Sequence, residues 1–181
     1  MRVLGIDPGL RLTGYACLET TRADEVPRII EAGVFRLIAS SRASSSASSR
    51  AKTTTARTSS SAPSVSARLL ELDRDLQELI IRVKPDHVAV ESLFAHYKHP
   101  ATAIIMGHAR GVILLAIRRA GIPLLEFKPN LVKKSLTGHG HADKGQMQRS
   151  VQTIFGLAEP PSPPDVADAI AIALCACRRA G

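Results

Sequence analysis

The sequence predicts an α/β fold, a five-stranded mixed sheet flanked by helices on both faces. Three observations carry this expectation. Residues 1–38 hold three strand-like runs joined by turn residues. Past Ser66, strand-like runs alternate with stretches whose apolar residues recur at helical spacing. Strands in a meander followed by alternating strands and helices imply a sheet of mixed direction with both faces covered. Finally, 181 residues at 45% apolar content are enough for a sizeable core, and 3% aromatics with no Trp make that core aliphatic.

In chain order, Val3-Leu4-Gly5-Ile6 reads as a strand, Asp7-Pro8-Gly9 as a turn, and Leu12 to Leu18 as a returning strand. Ile29 to Ile38 reads as the third strand. Ser40 to Ser61 then breaks the pattern with ten Ser, four Thr, four Ala and four Lys or Arg in 22 residues, without an acid or a large apolar side chain. Such a segment buries too little to offset its ordering entropy. A disordered Ser/Thr/Arg-rich insert is therefore expected at about 39–65 within a single domain spanning residues 1–181. Leu69, Leu70, Leu72, Leu76, Leu79, Ile80 and Val83 follow at helical spacing, with Pro85 marking the stop. Val88 to Val90 is a short buried strand, Ala101 to Ala120 a long helix, and Leu124 to Phe127 the fifth strand. Two shorter helices are expected, over Asn130 to Leu136 and Lys144 to Phe155. A last one, Asp165 to Arg178, follows a loop containing Pro160, Pro161, Pro163 and Pro164.

A net charge of +8 points to an anionic partner, a nucleic acid or an acidic surface. Cys17, Cys175 and Cys177 form an odd set without paired spacing. They read as buried reduced thiols, which favours a cytoplasmic setting. No basic segment followed by an apolar stretch opens the chain, so no signal peptide is expected. No uninterrupted apolar run approaches the ~20 residues of a membrane span, so no membrane partner is expected either.

Four acids stand where a folded chain rarely tolerates them. Asp7 and Glu91 end apolar strand runs, and Asp165 and Asp168 interrupt an apolar helix at a spacing of three. Each has an ordinary explanation. Asp7 opens a turn, Glu91 at a strand end can be solvated, and Asp165 in a first helical turn suits the helix dipole. Asp168 fits such an explanation least, because its helix is apolar nearly all round. A hard divalent metal held by all four would account for them together, since buried carboxylates need a cationic partner. Two ions about 4 Å apart would suit phosphodiester cleavage.

A basic constellation lies at Lys133, Lys134 and Lys144, bracketing the glycine-bearing loop Thr137 to His141. It is either a solvated loop or a set of phosphate contacts, which position a nucleic acid without reading its sequence. Phe94 stands three residues past Glu91, where it either packs in the core or stacks on an unpaired base. Gly107 and Gly111 sit inside the long helix, and Gly-x-x-x-Gly allows another backbone to approach, either this chain's own sheet or a second subunit.

These segments resemble, in order, the motifs of the RuvC Holliday-junction resolvases. Gly5 to Tyr15 is similar to the family's opening motif, Val88 to Phe94 to its second, and Gly107 to Gly111 to its helix signature. Val132-Lys133-Lys134 with Thr137-Gly138 and Ala142 to Lys144 resembles the DNA-binding stretch, and Asp165 to Ala169 the last acidic pair. The resemblance implies an RNase H-like fold, a homodimer built on the long helix, and Mg²⁺-dependent (or Mn²⁺-dependent) nicking with two ions per subunit. Two strands of like polarity in a four-way DNA junction would be cut, leaving 5′-phosphate ends. Position by position, it makes Asp7, Glu91, Asp165 and Asp168 the catalytic metal ligands. It makes Lys133, Lys134 and Lys144 DNA contacts, Phe94 a base-stacking side chain, and a branch-migration motor a partner. Ala16 and His108 depart mildly from the family pattern, and the Ser-rich insert departs more strongly.

Overall fold

A computed structural model describes residues 1–21, 25–37, 64–92 and 100–180. Three strands open the chain: β1 (Arg2–Asp7), β2 (Leu12–Glu19) and β3 (Arg28–Arg36). They are followed by α1 (Val65–Val83), β4 (His87–Glu91), α2 (Pro100–Arg119), β5 (Leu124–Phe127), α3 (Pro129–Thr137), α4 (Lys144–Phe155) and α5 (Pro164–Ala180). The sheet order is β3-β2-β1-β4-β5. The first three strands pair antiparallel, while β4 pairs parallel with both β1 and β5. This is the mixed sheet that a meander followed by alternating strands and helices predicts.

Strand alternation sends successive side chains to opposite faces, and each face has its own helices. Leu4, Ile6, Val88 and Val90 pack against Leu72, Leu76 and Leu79 of α1 and Ile113 and Ile117 of α2. Val3, Ala16, Leu18 and Ala89 pack against α5, with α3 and α4 beyond it. Burying each such aliphatic side chain contributes about 1.5–3 kcal/mol. Leu70 belongs to neither cluster. The helical pattern includes it among the apolar residues, but it is 51% exposed.

Helix ends follow local chemistry. Ser64 caps α1 by accepting from the Ala67 amide, and Lys84 closes it in a left-handed conformation at φ 47°. Asp143 and Gln146 form a reciprocal capping box on α4. The insert expected at about 39–65 lies outside the described residues over 39–63. Its assigned end is corrected, because Ser64 and Val65 begin α1 and the Ser64 hydroxyl satisfies a first-turn amide. The third strand ends at Arg36 rather than at Ile38, which lies outside the described residues.

The helix α2 differs from the others. Its stretch Ala101–Arg119 is long and apolar enough to cross a membrane by length and composition, although interrupted polar positions hid this from a reading of unbroken apolar runs. Only 22% of that stretch is buried, with Ile104 60% and Leu115 49% exposed. Its inner side is anchored by Ala109, Ile113, Ala116 and Ile117 and by an ion pair from Arg110 to Glu126 of β5. Cys17, Cys175 and Cys177 are buried and unpaired. Burial pushes the Cys17 and Cys177 thiols up to about 11, which suits inert packing.

Candidate active site

The parallel pairing of β1 with β4 builds the site. Ile6 registers with Val90, so the next residues, Asp7 and Glu91, end adjacent strands at the same level. Neighbouring strands lie about 4.8 Å apart. Both acids share the alternation of Val3 and Ala89, and so face α5. The helix crosses the sheet closely because glycines lie beneath it. A Cβ at Gly5 would lie 2.4 Å from the Ala169 carbonyl oxygen and 2.6 Å from the Ala173 nitrogen. One at Gly14 would lie 2.1 Å from the Asp165 carbonyl oxygen. Gly14 is the register partner of Asp7, so the first turn of α5 sits over the end of β1. Asp165 and Asp168, three apart on that turn, complete a group of four acids.

Their proximity is visible in their acidity. Asp7 is pushed up to about 8, first by burial and then by the charges of Asp168, Glu91 and Asp165, with Lys144 opposing. Glu91 is pushed up to about 7 by burial and by Asp168, against Lys133. Burial also raises Asp168, with Lys144 and Lys133 acting against it and Asp165 for it. Lys133 on α3 and Lys144 at the start of α4 thus reach the same end of the sheet, since α3 and α4 both pack on α5. Lys134 is exposed, a helical step of about 100° from Lys133, and none of these shifts involves it. Phe94 lies outside the described residues.

Asp165 does stand in the first turn of α5, where the helix dipole favours an acid, but the turn explanation for Asp7 finds no support in the hydrogen bonding. Among the described residues none of the four carboxylates accepts a hydrogen bond. The turn after β1 is held instead by buried Thr13, whose hydroxyl donates to the Gly9 carbonyl and accepts from the Gly9 amide. Thr13 and Gly14 are therefore the positioning residues that periodicity alone missed. Their signal was the placement of small residues opposite Asp7.

An all-carboxylate, half-buried and mutually repelling donor set fits a hard divalent cation. Among the described residues no three acidic, His or Cys side chains already form a closed cation cage. The acids lie near enough at this end of the sheet to raise one another's pKa values. A carboxyl whose folded pKa is raised takes up more protons folded than unfolded, so its destabilising effect is absent below pH 4 and grows as pH rises through about 7 to 8. Without metal, Asp7→Asn should therefore melt above the parent at pH 8, by about 1–3 kcal/mol or roughly 3–10 °C. The two should converge below pH 4. Scanning calorimetry in EDTA at both pH values checks this, and an equal melting point at pH 8 contradicts the repulsion.

Comparison with known proteins agrees with this architecture. Residues 38–176 match the profile of the family described as crossover junction endodeoxyribonuclease RuvC. The chain is 41% identical over 175 residues to the crossover junction endodeoxyribonuclease RuvC of Caldicellulosiruptor saccharolyticus, covering 97% of this chain and 91% of that one. It superposes on the Thermus thermophilus RuvC structure with a TM-score of 0.76 at 30% identity, covering 99% of this chain and 95% of that one. The structure of T. thermophilus RuvC in complex with Holliday junction substrate gives 0.77 at 30% identity, covering 99% and 94%. The sheet order and flanking helices are those of the RNase H-like fold. With the acids at the joined ends of β1, β4 and α5, and with relatives that align along nearly its whole length, this chain belongs to the RuvC family of crossover junction endodeoxyribonucleases.

Proposed function

We propose that this protein is a Holliday-junction resolvase that nicks two strands of like polarity in a four-way DNA junction and leaves 5′-phosphate ends. The observation that carries the reading is the convergence of Asp7, Glu91, Asp165 and Asp168 at one end of the sheet, with Lys133 and Lys144 beside them. The four acids are the metal ligands, for Mg²⁺ or Mn²⁺, two ions per subunit. Bound there, such ions supply an activated water and stabilise charge on the leaving oxygen. Asp7 and Glu91 lose the protons their raised pKa values retain, and Lys133 and Lys144 hold backbone phosphates on one side of the scissile bond. Lys134 adds a peripheral phosphate contact and Phe94 stacks on a base near the crossover. Reduced thiols fit a cytoplasmic enzyme, and a branch-migration motor is the expected functional partner.

The homodimer rests on α2. A Cβ at Gly107 or Gly111 would meet nothing within 4 Å among the described residues, so the chain's own sheet is not the backbone these glycines admit. In this reading a second subunit supplies that backbone, supported by the exposed Ile104 and Leu115, which offer it an apolar face. Alanine at either glycine should raise helix stability by about 0.5–1 kcal/mol while weakening dimerisation. Sedimentation of both variants across a concentration series tests this, and an unchanged dimer constant removes the glycines from the interface.

The activity is tested with a synthetic mobile four-way junction in Mg²⁺ and in EDTA, on a denaturing gel. Paired symmetric nicks that require the metal are expected. Binding without nicks in either Mg²⁺ or Mn²⁺ would replace the nuclease with a junction-binding module.

A further inference from the structure

On the face of the sheet that carries α1 and α2, the turn after β1 borders a pocket of about 470 Å³. Arg11 and Arg68 line it, together with Leu10, Ile105, Met106 and Asp165 of the acidic group. The pocket thus reaches the acidic centre at Asp165 from the face of α1 and α2, whereas Lys133 and Lys144 belong to helices packed on α5.

Among the described residues four arginines have a carboxylate partner: Arg2 and Arg28 on Glu19, Arg82 on Glu31, Arg110 on Glu126. Arg68 has none among the described residues, and its Nε is buried without any acceptor. A buried guanidinium N–H left unmatched is unfavourable, and in native proteins it usually marks a missing partner. Arg11 is exposed and its side chain is likewise unpaired among the described residues, although its carbonyl accepts from the Leu37 amide. Two guanidinium groups around one recess, with an apolar wall of Leu10, Ile105 and Met106 that limits water, suit a single anion with several oxygens. A phosphodiester meets that description, because the guanidinium fork matches two phosphate oxygens at once.

We infer that the Arg11–Arg68 pocket is a phosphate site for the bound DNA strand, placed across the acidic centre from Lys133 and Lys144. The strand would then be held on both faces of the sheet's end, with the bond to be cut over the acids between the two grips. This inference rests on the nuclease reading above and deepens it.

The test is the salt dependence of junction binding, measured by fluorescence anisotropy in EDTA on the Asp168→Asn background, so that nothing is cut. Each phosphate contact contributes about 0.9 to the slope of log affinity against log salt. Arg11→Gln and Arg68→Gln should each lower the slope by about 0.9, and Arg68→Lys should retain it. Arg118→Gln, at the far end of α2, should leave it unchanged. A parental slope for Arg11→Gln overturns the inference, as does an equal fall for Arg118→Gln, which would mark general charge rather than a site. The exposed, unbonded Arg11 side chain makes its variant safe for folding, so it decides the question even if Arg68→Gln does not fold. Metal-dependent nicking by the parent protein, followed in parallel, reports on the nuclease reading separately.

Discussion

Asp168→Asn should bind a four-way junction at least as well as the parent, and its nicking rate should fall at least about a hundredfold. The substitution removes one negative charge from the crowded end of the sheet and leaves Lys133 and Lys144 in place. DNA is a polyanion, so losing a carboxylate at its docking surface favours binding, most visibly at low salt. Catalysis responds in the opposite sense. Replacing residues that merely orient metal ligands costs 10–100-fold, so replacing a ligand should cost at least as much. Asparagine keeps the size and one oxygen, which separates loss of charge from loss of packing in a helix whose neighbouring positions are buried. A gel shift in EDTA and a denaturing gel in Mg²⁺ give the two readouts. Normal cutting by this variant would remove Asp168 from the catalytic set.

The second large effect is expected from a residue with no chemistry of its own. Gly14→Ala would place a methyl group 2.1 Å from the Asp165 carbonyl oxygen and 2.8 Å from its carbonyl carbon. Both obstacles are backbone atoms, so no side chain can swing aside, and the first turn of α5 must lift off β2. Overpacking of this kind costs about 1–3 kcal/mol, or roughly 3–10 °C in a chain of this size. The functional loss should exceed the loss of stability. A displacement of about 1 Å in a reacting constellation can cost about a hundredfold in rate, and the displaced turn carries both Asp165 and Asp168. Gly33→Ala is the control. Its added methyl meets only the end of the Tyr15 ring, nearest at 2.9 Å, on a strand that carries none of the four acids. Nicking assayed well below both melting points should fall for Gly14→Ala and stay near parental for Gly33→Ala. A Gly14→Ala protein that cuts like the parent would show that α5 is not held in place by this contact.

Much of the architecture was legible along the chain because its causes are local. Alternation in Val3 to Ile6, helical spacing from Leu72 to Val83 and the glycine and proline stops depend on neighbours a few residues away. The boundaries that moved did so for equally local reasons, as where the Ser64 hydroxyl captures the Ala67 amide and starts α1 inside a serine-rich stretch. Leu70 shows the limit of such patterns. It has the right character for a core position, yet the helix turns it outward, because only packing decides which apolar stripe is covered.

By itself, then, the sequence determined the strands and helices, the basic balance, and four acids too awkwardly placed to be ordinary, since each depends on residue type and short spacing. The tertiary structure alone decided that these acids meet. Parallel register brings Asp7 level with Glu91, and alternation turns both toward α5. The bare backbone of Gly5 and Gly14 lets that helix lie close enough to add Asp165 and Asp168. It likewise decided that Gly107 and Gly111 face away from their own sheet, and that Arg68 ends in a recess where its Nε finds no acceptor among the described residues. The physical reason is the same in each case: contacts between residues distant in the chain are set by strand register and close packing, which no local pattern encodes.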